Sequence, residues 1–235
     1  MSHEIKLHTA QTSILRELLF VPQAGFAQLQ KPTELGSDHF MFHINRLIEV
    51  GFVEKIDRGQ YRLTVMGKEY ANRLDTDHNT VERQPKVAVV LNIKRPGNNQ
   101  DYLFQQRLKH PYYGFWGRPT GKIRWGETIL ETAARELAEE AGLSAEYEIM
   151  GIHHEIVYDA DHTDILEDKI FFNVACTNVK GEIKELFEGG RNQWMTLVEV
   201  LRQQKVFANF DVSQQIWTGE QRFVETRRQH PRTDF

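Results

Sequence analysis

The stretch GKIRWGETILETAARELAEEAGL, residues 121 to 143, constrains this chain more than any other, because it specifies a helix, both of its ends and a charge pattern. Thr128 with Glu131 three residues on reads as a capping box, and Gly142 stands where a left-handed C-terminal stop is wanted. Between them Leu130, Ala133, Ala134, Leu137 and Ala141 form an apolar stripe, which predicts an amphipathic, half-buried helix. Glu136, Glu139 and Glu140 fall at i, i+3, i+4 on a neighbouring arc. Like charges at that spacing cost a few tenths of a kcal/mol per pair, roughly, so a solvated face could carry them without any function.

The surroundings favour a chemical reading. Residues 107 to 126 hold Arg107, Lys109, Arg118, Lys122 and Arg124 and no Asp or Glu. A cationic, glycine-bearing loop thus feeds a carboxylate helix. Cations suit phosphate oxygens, and clustered carboxylates suit hard, oxygen-preferring ions such as Mg²⁺ or Mn²⁺ that bridge them. Hydrolysis of a phosphoanhydride needs an acidified, positioned water and a neutralised leaving phosphate, and this combination addresses both needs.

Gly121, Glu127, Arg135-Glu136-Leu137, Glu139-Glu140 and Gly142-Leu143, at these spacings, resemble the complete signature of the Nudix (MutT-like) hydrolases. Arg107, Trp116 and Pro119 also fall where such proteins tend to carry these residues, and Thr120 departs from a second glycine that is common there. The resemblance implies an α/β fold, an α/β/α sandwich around a mixed sheet. It implies attack of water on a phosphorus of a nucleoside diphosphate linked to another group. Glu136, Glu139 and Glu140 are then expected as metal ligands, Glu136 also as a candidate general base, and Glu127 as a support for the loop or for a further metal. Arg135 would orient the carboxylates, while Arg107, Arg118, Gly121 and Lys122 would meet the substrate. Some family members add an acidic residue from a later loop, for which Glu188 is the candidate and Glu185 the alternative.

At 235 residues, with 40% hydrophobic and 26% charged positions, the chain has room for one large domain or two smaller ones. No apolar run approaches the roughly 20 residues of a membrane span, and MSHEIKLHTAQ lacks a signal-peptide core, so a cytoplasmic protein without a membrane partner is expected. Cys176 is the single cysteine and lies in the apolar run KIFFNVAC, which excludes an intramolecular disulfide and predicts a buried structural thiol.

The Nudix-like part is expected over residues 84 to 235, and the polar stretch DTDHNTVERQP separates it from a first domain, residues 1 to 80. There, TSILRELLF and GFAQLQ read as helices. SDHFMFHINRLIEVGF reads as a third, with Ser37 as N-cap, Phe40, Ile44, Leu47 and Ile48 buried, and Gly51 as stop. FVEKIDRGQYRLT reads as a hairpin and MGKEYANRL as a closing helix. This order resembles a small winged helix-turn-helix domain of the MarR-like regulators. The resemblance implies double-stranded DNA as a partner, met by His39, His43, Asn45 and Arg46 on the third helix and by Arg58 on the wing. The alternative is a winged helix used for protein contacts.

Charge bears on that choice. Residues 1 to 82 hold nine Lys plus Arg against eleven Asp plus Glu, and the remainder twenty against twenty-two. An acidic module must gather its few cations on one face to bind phosphates, and a homodimer would double them. Two functions follow as expectations: a Nudix-type pyrophosphohydrolase, or a nucleotide-sensing transcription regulator. Elsewhere, HHEIVYD reads as a strand with His153 and His154 on opposite faces, DADHTDILED as a solvated loop, and FANFDVSQQIWTGEQRFVETRR as a loop entering an amphipathic helix that carries Phe210 in the core.

Overall fold

The computed structural model describes residues 7–56, 59–98 and 100–235, apart from the side chains of Asp211 and Ser213. The chain divides into two compact units, Met1–Arg83 and Gln84–Phe235.

The first unit contains α1 (Thr9–Leu19), β1 (Ala24–Gly25), α2 (Phe26–Gln30), a one-turn 3-10 helix (Lys31–Thr33), α3 (Ser37–Glu49), β2 (Val53–Lys55), β3 (Gln60–Leu63), α4 (Val65–Ala71), β4 (Leu74–Asp75) and β5 (Thr80–Val81). Strands β1, β3 and β2 form an antiparallel sheet in that order. Its core gathers Ile14, Leu15, Leu29, Phe40, Ile44, Leu47 and Phe52, so the α3 stripe is buried as its spacing requires, with Ile48 packed at the margin. Gly51 ends the helix at φ +79, the left-handed geometry that glycine adopts without a Cβ clash. Ser37, expected as N-cap, is instead the first helical residue. Gly36 occupies the cap position, and the Ser37 hydroxyl is turned toward Gln30 Nε2 at 3.5 Å.

The second unit holds β6 (Lys86–Ile93), β7 (Asp101–Arg107), β8 (Trp116–Gly117), β9 (Thr120–Lys122), α5 (Ile129–Ala141), β10 (Leu143–Asp159), β11 (Ile165–Gly181), β12 (Leu186–Phe187), β13 (Gly190–Thr196), α6 (Leu197–Leu201), α7 (Phe210–Trp217) and β14 (Phe223–His230). A five-stranded mixed sheet runs β14-β10-β11-β6-β9, and an antiparallel sheet runs β12-β13-β7-β8. Alternation along β6 assigns its two faces. Val89, Leu91 and Ile93 pack with Ala133, Leu137 and Ala141 of α5, whereas Ala88 and Val90 pack with Phe171 and Trp217. Helix α5 therefore covers one face and α7 lies against the other.

Helix α5 has the expected ends: Thr128 and Glu131 form the capping box, and Gly142 takes φ +71. Leu130, expected in the stripe, shares the arc of Ala133, Leu137 and Ala141 but is 40% exposed; it stands in the first turn of the helix, whereas those three, further along, are buried. Cys176 is buried, and the apolar surroundings push its thiol up to about 12. His153 and His154 do face opposite sides of β10; the first meets Thr226, the second Asp168 and Glu225. Two readings need correction. The loop expected over residues 159 to 168 is confined to a tight turn, because Ile165 onward already pairs with β10. FVETRR, read as part of a helical stretch, is strand β14, parallel to β10, and its alternating exposure is the period-2 signal of an edge strand.

Candidate active site

Arg135 organises the carboxylates of α5. Its Nε and Nη2 donate to Glu127 Oε1 and Oε2 at 2.6 and 2.9 Å, and Nη1 donates to Glu136 Oε1 at 2.6 Å and to Glu139 Oε2 at 3.3 Å. Nη2 also meets the Lys122 carbonyl at 3.1 Å, which ties the helix to β9. Glu127 is saturated: besides Arg135 it accepts from Thr132 and from the Arg124 backbone, and the bidentate guanidinium holds its carboxyl down at about 2. Glu139 is half exposed and shared between Arg135 and Arg124.

Glu136 and Glu140 turn into a cleft of about 410 Å³. Gly121 permits this: a Cβ there would lie 2.0 Å from Glu136 Cγ. Glu140 accepts from Gln105 Nε2 at 3.1 Å; burial raises its pKa, and the like charge of Glu136 adds to the shift against the pull of Lys109 and Arg107. Arg107 lines the cleft with its Nε on the Pro111 carbonyl at 2.9 Å, its pKa lowered by burial. Arg118 lies deeper. Its guanidinium stacks 3.8 Å from the centre of the Trp217 ring, donates to Asn92 Oδ1 at 2.9 Å, and is lowered by burial to about 9. Lys122 and Lys109 complete the cationic border.

The expected residues are thus partly brought together. Glu136, Glu140, Arg107, Arg118, Gly121 and Lys122 share the cleft, while Glu127 and Glu139 stand outside it on the arginines. Glu185 and Glu188 are exposed and neither lines the cleft, although Phe187 and Gly189 beside them do. Among the described residues no group of three His, Cys, Asp or Glu side chains is arranged to hold a metal ion. The donor set nevertheless fits a hard divalent cation: carboxylate oxygens only, with Glu140 raised first by burial and then by the like charge of Glu136, both of which a cation beside them would offset.

The sequence reading missed the cleft's other end. Glu155, Glu167, Lys169 and Tyr112 line it, all mostly buried. Lys169 bonds Glu167, and Glu155 Oε2 lies 3.2 Å from Arg228 Nε. The available signal was alternation: His153, Glu155, Val157 and Asp159 share one face of HHEIVYD, and Glu167 and Lys169 share the facing one.

In the first unit His39, Asn45 and Arg46 are exposed on α3, and Arg46 is paired with Glu49 at 3.0 Å. His43 is part-buried and stacks on His8 at 4.5 Å; burial, then the neighbouring His8 and His39, lower its pKa. Arg58 lies outside the described residues.

A family model described as the NUDIX domain matches residues 83–216, more than half of the chain. The Nudix hydrolase YvcI of Bacillus subtilis, itself uncharacterized, is 30% identical over 88 residues, a match spanning 37% of this chain and 54% of that protein, about half its length. The NUDIX domain of Shewanella oneidensis NrtR, solved in complex with ADP ribose, is 19% identical, with a TM-score of 0.50, and covers 68% of this chain and all of that one. A MutT protein from Bacillus halodurans is 23% identical, with a TM-score of 0.48, over 64% of this chain and 93% of that one.

Proposed function

The chain belongs to the Nudix hydrolase family, and from that premise we propose that it hydrolyses the phosphoanhydride of a nucleoside diphosphate linked to another group. The observation that carries the reading is the placement of Glu136 and Glu140 in a cleft bordered by Arg107, Lys109, Arg118 and Lys122. Glu136 and Glu140 would hold Mg²⁺ or Mn²⁺ in the cleft, with Glu139 as a third ligand on release from Arg124 and Arg135; the ion when bound supplies charge neutralisation on phosphate and acidifies water. Arg135 fixes Glu136 through Oε1, leaving the second oxygen of that carboxylate to take a proton from the attacking water. Glu127 is assigned to holding Arg135 and the loop, not to a metal. The arginines and lysines bind phosphate oxygens, Arg118 from a desolvated position where its charge acts strongly. The ADP ribose bound by the Shewanella domain supports a nucleotide-type ligand. Release of phosphate or nucleotide from nucleoside triphosphates, ADP-ribose, dinucleotides and nucleotide sugars, with Mg²⁺ or Mn²⁺, tests this; no release from any of them refutes it.

The first unit supports a second reading. Three helices, a hairpin and a closing helix, with β1 added to the hairpin, match the element order of a winged helix, and α3 offers His39, Asn45 and Arg46 on its exposed side. We assign it DNA contact as an accessory role. Arg46–Glu49 and Arg62–Glu54 pairing leaves few cations for phosphates, so a dimer is the form expected to bind.

A further inference from the structure

Away from the cleft, three titratable rings meet in the first unit. His39 and His43 lie one helical turn apart on α3, and His43 stacks on His8, the residue before α1, with ring centres 4.5 Å apart and planes 24° from parallel. Both rings of the stack are placed to be neutral. His8 caps α1: its Nδ1 accepts from the Ala10 N–H at 3.1 Å, while its own backbone N–H donates to Gln11 Oε1 at 2.9 Å. An imidazole nitrogen accepts only while it carries no proton, so protonation of His8 at Nδ1 abolishes the cap. His43 Nδ1 is buried without a hydrogen-bond partner, and the Phe42 ring stands edge-on beside the imidazole at 5.3 Å. A proton placed on it would make a buried donor with no acceptor.

Acid therefore acts on the stack in two ways that reinforce each other. It removes the acceptor that α1 needs, and it sets two like charges face to face. Of the charged groups on the elements around the stack, Arg16 contacts Glu17 on α1, Arg46 pairs with Glu49 on α3, Glu54 of β2 pairs with Arg62 of β3, Lys55 lies over the Tyr61 ring, and Asp38 stands in the first turn of α3. The charges that act on His43 are those of His8 and His39, and with burial they lower its pKa. The cap also supports a second element. The Asn79 side-chain amide lies 2.8 Å from the Ser13 hydroxyl, which ties the turn between β4 and β5 to the first turns of α1. That turn stands in the chain just ahead of the second unit.

We propose that the His8–His43 stack is a proton-operated latch in the first unit: neutral, it caps α1 and joins it to α3; protonated, it releases the first turns of α1 together with the β4–β5 turn. Folding favours the neutral His43 ring, so the latch's contribution is full above pH 6.5 and is lost as pH falls through the folded-state value. This window lies above the range in which ordinary carboxylates titrate, which separates the latch from general acid unfolding.

Hydrogen exchange of the full chain, expressed as protection factors between about pH 7.5 and about pH 5, tests this. Residues 9 to 13 are expected to lose about tenfold or more of their protection across that range, while the interior of α5 in the second unit keeps its own. His8→Asn supplies a cap acceptor that does not titrate and should hold the loss in residues 9 to 13 below about threefold. His43→Gln removes the facing charge and should reduce the loss in the same direction. An equal loss in the parent and in His8→Asn, a loss shared by α5, or no loss in the parent overturns the proposal. The ring resonance of His43 gives an independent reading: its midpoint should fall below 6.5 in the parent and rise in His8→Asn, and a parent midpoint at or above 6.5 overturns the proposal as well.

Discussion

Glu136 lies against Gly121 so closely that a methyl group on residue 121 would sit 2.0 Å from its Cγ. The glycine is therefore a condition for the carboxylate's position. Gly121→Ala is expected to expel Glu136 from the cleft and lower kcat by about 100-fold or more, because misplacing a reacting group by an ångström is enough for a loss of that size. Circular dichroism should report a folded chain. Turnover within threefold of the parent would show that Glu136 does not act from this position.

Glu140 is withdrawn from water, which raises its pKa, and it accepts a hydrogen bond from the neutral amide of Gln105. Glu140→Gln keeps the shape and deletes the charge. Divalent-ion affinity by titration calorimetry is expected to fall at least about tenfold and kcat about 100-fold or more, with the melting temperature unchanged or higher since a buried charge is lost. Retention of both ion affinity and turnover would remove Glu140 from the site.

The Arg135–Glu127 pair predicts an acid limit. Glu127 has its carboxyl depressed from 4.5 to about 2, chiefly by Arg135. The folded form releases its proton more readily than the unfolded form, so the pair's contribution is present above pH 4.5 and is lost as pH falls toward 2. In Glu127→Gln, stability measured by urea unfolding should decline less steeply between those values than in the parent. Parallel pH profiles would mean the pair does not persist in solution.

Much of the site was legible because its information is local. The capping box of α5, the Gly142 stop and the carboxylate spacing all reside in one helix, where periodicity reads directly into position. What escaped is non-local. Glu155 and Lys169 are apart in sequence and meet only through the β10–β11 register, and Tyr112 reaches them from the segment after β7. Ser37 misled because a serine before an apolar run is a good N-cap; Gln30, from another element, engaged its hydroxyl instead. Glu185 and Glu188 looked well placed along the chain, but Phe187 and Gly189 are the residues of that segment facing the cleft.

His154 joins three strands, with Nδ1 2.9 Å from Glu225 of β14 and Nε2 2.9 Å from Asp168 of β11. These two carboxylates raise its pKa above 6.5. The protonated ring is favoured by folding, so its contribution is full below pH 6.5 and disappears as pH rises through the folded-state value. His154→Gln should flatten that part of the stability profile, and amide exchange in β14 should quicken above the transition in the parent only. Unchanged β14 protection across it would show that the strand is held without the histidine.

The two compact units predict a separable enzyme. Every residue assigned to the cleft lies within Gln84–Phe235, and so do the cores that position it. A fragment of residues 84–235 is therefore expected to keep kcat/KM within about threefold of the full chain. The full chain should retard duplex DNA at low salt, with affinity falling steeply as salt rises, and Arg46→Ala should weaken that binding without changing turnover. Asn45→Ala, which removes no charge, distinguishes base contact from phosphate contact: loss of preference between sequences at unchanged salt dependence places α3 in a groove. If the full chain binds no duplex at low salt, the first unit serves protein contact and the DNA role is withdrawn, while the fragment's activity still decides the enzyme.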